Sequence, residues 1–110
     1  MATQIIVSKK GPLPISANFP SPSDGPSTLM VFGSVWTQGT NTMIGIQVTL
    51  DGQSLGAAQI FANPAATHMN VVPAVFPIKL QQGNHTLQLS VGTTSTVSDF
   101  NDFYTVILQY

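Results

Sequence analysis

The chain has 110 residues and no cysteine, and its only formally charged side chains are Lys9, Lys10, Lys79, Asp24, Asp51, Asp99 and Asp102. The charged fraction is 6%, against about 25% in ordinary globular domains. Disulfides and thiolate chemistry are therefore excluded, and three lysines with no arginine and a net charge of −1 do not make the cationic cluster that nucleic-acid phosphates require.

Taken in order, residues 3–8 (TQIIVS) read as a first strand, with Lys9 and Lys10 at its end as a guard against edge pairing. Residues 11–26 hold five of the eight prolines. Proline supplies no ladder N–H, so a Pro/Ser-rich loop pinned by Ile15 and Phe19 is expected there. Residues 28–37 form the most apolar strand. Leu29, Val31 and Val35 fall on one face and Met30, Phe32 and Trp36 on the other. A strand apolar on both faces is either central or covered by a partner.

Gly39, Thr40 and Asn41 turn the chain into a β-hairpin over residues 42–61. Ile44, Ile46, Val48 and Leu50 alternate with polar or small residues, the period of a half-buried strand. Asp51-Gly52 follows and tolerates the positive φ of a two-residue turn. The alternation of the second arm slips between Ala57 and Ile60, where a bulge is expected. After an Asn63-Pro64 loop, residues 68–80 are apolar but interrupted by Pro73 and Pro77, which demands a broken or edge strand. A Gln82-Gly83-Asn84 turn leads into a strand at 85–91, with His85, Leu87, Leu89 and Val91 on one face. Residues 92–101 read as a polar loop. Residues 103–110 form the last strand, Tyr104, Val106, Leu108 and Tyr110 on one face, Phe103 and Ile107 on the other.

About seven to eight strands, turn signals between them and no helical period predict a single all-β domain over residues 1–110. The expected form is a two-layer antiparallel sandwich, jelly-roll-like. Second apolar faces on three strands exceed what a small core can hide. Met30, Phe32, Trp36, Phe103, Tyr104 and Ile107 are therefore expected to form an interface between copies of the chain.

No catalytic constellation is evident. No G-x-S-x-G elbow is present, and without glutamate the paired carboxylates of glycoside hydrolysis reduce to four aspartates, so no enzyme is expected. Asp99, Asn101 and Asp102 are the only cluster of oxygen ligands. They either cap a loop or contact a sugar or Ca²⁺, and no other cofactor is expected. Trp36, Tyr104 and Tyr110 are the candidate aromatic faces for a sugar ring, Trp36 being suited to core or interface as well, in a surface built of amides and hydroxyls that suits neutral glycans. His68 and His85 make a weak metal pair unless the fold supplies a third ligand. Asn84-His85-Thr86 matches a glycosylation sequon. MATQIIVSKK lacks a basic segment followed by a long apolar run, so no secretory signal is expected. No apolar run approaches the roughly 18 residues of a membrane span. The expected location is cytoplasmic as synthesised, then particle-associated or released.

From about Leu29 onward the chain resembles small bacterial and phage β domains of the tumour-necrosis-factor-like jelly-roll type. The likeness lies in the Phe32-Gly33-Ser34 strand, the Asp51-Gly52 hairpin, Gly83-Asn84-His85-Thr86 at a strand start, and the aromatic strand after Asn101-Asp102. It implies a compact trimer, with the Trp36 strand and the C-terminal strand near the threefold axis. Domains of that type serve as receptor-binding, lectin-like or particle-surface modules. The first expectation is thus a non-enzymatic recognition or assembly module, the alternative a lectin for neutral sugars.

Overall fold

The computed structural model describes residues 2–110. Nine strands follow one another: β1 (Thr3–Lys10), β2 (Ile15–Ser21), β3 (Gly25–Val35), β4 (Thr42–Leu50), β5 (Gln53–Ala62), β6 (Met69–Asn70), β7 (Ala74–Leu80), β8 (Gly83–Val91) and β9 (Phe103–Gln109). They form two antiparallel sheets. One runs β1-β9-β3, with β6 and β7 both on the far side of β3; the other runs β2-β8-β4-β5. β4 and β5 form a hairpin within one sheet. Every other connection crosses between layers, apart from the short step from β6 to β7, and the result is a jelly roll. No helix occurs among the described residues, so none could cross a membrane.

The core is what the alternation predicts. Leu29, Val31 and Val35 of β3 and Val106 and Leu108 of β9 meet Ile44, Ile46 and Val48 of β4 and Leu87 and Leu89 of β8, all fully buried. Each such side chain contributes about 1.5–3 kcal/mol by leaving water. Asp51 (φ 50°) and Gly52 (φ 81°) take the left-handed conformations that the hairpin turn needs.

Three expectations are corrected. Residues 15–21 are not loop: β2 pairs with β8 from Ile15↔Leu89 to Ser21↔Gly83, burying Ile15, Phe19 and Ser21. β2 is an edge strand, which pairs on one side only and so accommodates Pro20. The hairpin bulge lies earlier than the alternation suggests. Register shifts between Val48 and Thr49, where Val48 pairs with Gly56 and Thr49 with Ser54, leaving Leu55 extra. Gly56 (φ 139°) absorbs the distortion, and residues 57–62 then pair regularly. Tyr104 is fully buried in the core, so it can neither anchor a partner chain nor face a sugar. Its ring fits against Gly33, and burial pushes its phenol well above the ordinary range, with Ser98 partly offsetting.

The prolines of 68–80 act as expected. They leave the two-residue β6 and the edge strand β7, in which Pro77 stands opposite Thr28.

Outside the first sheet, register aligns one apolar row. Ile5 pairs with Ile107, Ile107 with Met30, and Met30 with Val75. Ile5 is 64% and Val75 58% exposed, and Phe103 flanks them at 46%. The outer face of the second sheet carries Ser16, Asn18, Gln47, Thr49, Thr86, Gln88 and Ser90, without a charge, and the exposed pair Met43 and Phe61 at one end.

Candidate functional site

Four segments meet at one end of the sandwich: residues 11–14, 36–41, 63–68 and 92–102. Backbone hydrogen bonds fasten them together. Trp36 and Val97 exchange N–H···O bonds of 3.0 and 2.8 Å, Ala66 N–H reaches Thr37 O at 2.7 Å, and Gly11 N–H reaches Asp102 O at 2.9 Å. Leu13 N–H donates to Ser98 Oγ at 2.8 Å.

Asp102 is the centre of this end. Its side chain is fully buried, and an ionised carboxylate is held in such a place only by donors. Oδ1 accepts from the Ser34 hydroxyl at 2.8 Å and from His68 Nδ1 at 2.7 Å, and Oδ2 accepts the Asp99 N–H at 2.9 Å. Asp99 repeats the device one step outward, its Oδ1 accepting the Asn101 N–H at 2.8 Å. The loop therefore presents Phe100, 74% exposed, and the exposed Asn101 at its tip.

His68 is oriented by this arrangement. With Nδ1–H given to Asp102, Nε2 turns outward, 3.8 Å from Asp99 Oδ2. The Asp102 hydrogen bond raises the His68 pKa above its usual value; burial opposes this, and the charges of Asp102 and Asp99 add to it. The His68 ring packs on Trp36, centroids 5.7 Å apart and planes at 45°.

Of the residues singled out from sequence, Trp36, Asp99, Asn101 and Asp102 do come together. Their roles differ. Asp102 cannot reach a ligand, because it is buried with both oxygens engaged; it positions His68 and the Asp99 loop. The exposed polar groups are Asp99 Oδ2, the Asn101 amide and His68 Nε2. His68 and His85 do not converge: His68 pairs with Asp102, and His85 with Asp51 at the other end of the sandwich. Ser34 and His68 were missed as partners of Asp102, and only a fold that joins residues 34, 68 and 102 could reveal them.

The donor set does not fit Ca²⁺. His68, Asp99 and Asp102 offer one atom each within 4.8 Å of one another, but one is a nitrogen and the Asp102 oxygens already hold three donors. A hard cation needs six to eight oxygens. Nor do Ser34, Asp102 and His68 form a nucleophile–base pair: the hydroxyl donates to the carboxylate and does not reach Nε2 of the imidazole.

No family model matches the chain, and no curated protein is similar to it in sequence. Among solved structures, the fold is similar to a family 35 carbohydrate-binding module from Clostridium thermocellum. The TM-score is 0.57 at 14% identity, covering 96% of this chain and 90% of that one. It is also similar to a family 35 module from an environmental isolate, with TM-score 0.58 at 11% identity, covering 88% of this chain and 65% of that one. Latent PorU from Porphyromonas gingivalis gives TM-score 0.56 at 8% identity, the match covering 96% of this chain and 11% of PorU. At these identities the likeness is one of fold. The chain is a jelly-roll β-sandwich domain, and nothing in these matches singles out the tumour-necrosis-factor-like type.

Proposed function

We propose that the chain is a non-catalytic carbohydrate-binding domain that takes a neutral sugar at the loop end. The observation that carries this reading is the end-to-end match with a carbohydrate-binding module, 96% of one chain on 90% of the other. The chemistry of the loop end agrees with it. Phe100 and Trp36 offer aromatic faces to sugar C–H groups. Asp99 Oδ2, the Asn101 amide and His68 Nε2 bond hydroxyls, and Asp102 keeps all three in place.

A glycan array followed by titration calorimetry tests this. Phe100→Ala and Asn101→Ala are each expected to weaken binding of the best glycan about tenfold or more, the worth of one stacked ring or one buried hydrogen bond. Both side chains are exposed, so the melting temperature should hold. Binding by both variants at wild-type strength, or no glycan bound by the wild type, overturns the proposal. EDTA is expected to leave the affinity unchanged, since the donor set does not fit Ca²⁺.

A second reading rests on the apolar row outside the first sheet. Ile5, Ile107, Met30 and Val75 span four strands, with Phe32 and Phe103 beside them. We infer that this face mediates self-association, with the trimer as the expected form. A net charge of −1 gives little repulsion to oppose it. Light scattering should find a multimer that Ile107→Lys converts to an 11.6 kDa monomer. A wild-type monomer at high concentration contradicts this reading and leaves the glycan proposal untouched.

A further inference from the structure

The end of the sandwich away from the loop cluster is closed by three tight connections, residues 22–24, Asp51–Gly52 and residues 81–82. His85 sits among them with its side chain 12% exposed. Nδ1 lies 2.6 Å from Asp51 Oδ2 and Nε2 lies 2.7 Å from the Gln81 carbonyl oxygen. The ring packs on Phe19 of β2 at 5.6 Å and 31°. Asp51 is fixed in turn: its Oδ1 accepts the Thr86 N–H at 2.8 Å, and its own N–H donates to Thr86 O at 2.8 Å.

Both ring nitrogens therefore face acceptors. A carbonyl oxygen has no hydrogen to give, so Nε2 must carry one. An ionised carboxylate has none either, so Nδ1 must carry one too. Neutral imidazole has a single N–H, and only the imidazolium can hold both contacts.

We propose that His85 is a pH-operated latch that clamps the β4–β5 turn to the β7–β8 connection when protonated and releases the connection when neutral. The contact given up is the one to Gln81, because a hydrogen bond to a carboxylate is the stronger of the two. Between the two turns runs a groove of about 610 Å³, lined by Leu50, Leu55, Ile78 and Leu80 among others. Release of Gln81 frees the rim of that groove.

The surrounding charges are few. Asp51 faces the ring from the β4–β5 turn. Lys79 of β7 lines the same groove, and Asp24 of the β2–β3 connection accepts the Gln82 N–H at 2.7 Å. β2 and β8 contribute only the uncharged Phe19 and Thr86. The Asp51 hydrogen bond raises the His85 pKa above 6.5, the Gln81 carbonyl and the Asp51 charge add to this, and burial opposes it. For Asp51, burial is outweighed by the His85 and Thr86 hydrogen bonds, which hold the carboxyl below its usual value. A histidine raised by folding adds stability in full below about pH 6.5, and that stability is lost as pH rises through the folded-state value.

Two measurements on the whole chain decide it, both in a His68→Gln background so that one imidazole remains. Nitrogen-15 shifts of the His85 ring should show both nitrogens protonated at pH 6.5. Amide exchange at residues 81–83, corrected for its intrinsic pH dependence, should quicken about tenfold per unit of pKa elevation across the transition. His85→Gln should exchange fast at every pH. A single neutral tautomer at pH 6.5, or exchange at 81–83 that ignores pH, overturns the latch. Should His85→Gln fail to fold, the ring titration of the parent decides alone.

Discussion

Asp102→Ala is expected to cost about 3 kcal/mol, the upper end for buried donors left without an acceptor, which a urea titration would show as an early midpoint. The substitution strips a buried group of the kind whose removal is expensive because its partners stay behind. The Ser34 hydroxyl, the Asp99 N–H and His68 Nδ1–H all lose their acceptor at once. Water can reach His68 and Asp99, both about a third exposed, so the cost falls mainly on Ser34 and on the loop. Asp102→Asn keeps the shape but turns an N–H₂ group toward one of those donors, and an intermediate loss is expected. If Asp102→Ala melts like the wild type, Asp102 does not organise this end. The carbohydrate proposal also predicts that glycan binding falls with Asp102→Ala although the residue touches no sugar.

Gly33→Ala is the second large effect, about 3 kcal/mol by the same titration. A Cβ at Gly33 would stand 2.6 Å from Tyr104 Cδ1, 2.8 Å from Ile46 Cδ1 and 3.2 Å from the Phe103 carbonyl. Overpacking of a filled core costs about 1–3 kcal/mol. The upper end is expected here because neither neighbour has room to retreat. Tyr104 and Ile46 are both fully buried, and Phe103 is fixed in the β9 ladder. Unchanged stability in this variant would mean that the tyrosine ring is loosely held.

How much of this was legible depends on distance along the chain. The two-residue alternation of Ile44 to Leu50 and of Leu87 to Leu89 reports a local periodicity, and the strands follow it. Ile15, Ala17 and Phe19 alternate as well, yet their prolines outweigh the pattern until the structure shows that the strand lies at an edge. The bulge at Leu55 is hidden because it depends on the φ of Gly56, not on hydrophobicity. Tyr104 shares its parity with Val106 and Leu108, yet the expectation of an interface anchor overrode that pattern, and the structure buries it with them. At the site, Asp99, Asn101 and Asp102 are adjacent and could be read together. The pairing of Asp102 with His68 and Ser34 bridges 34 and 68 residues, and no local pattern carries it.

β9 lies between β1 and β3, hydrogen-bonded to both. β1 therefore has no neighbour in its own sheet until β9 has been synthesised. On the nascent chain, β4 and β5 can close about their turn at once, while Val7 and Leu29 wait uncovered. Folding that depends on such distant pairings is slow, on the order of milliseconds to seconds, and the unfinished chain is exposed to association with its neighbours for all of that interval.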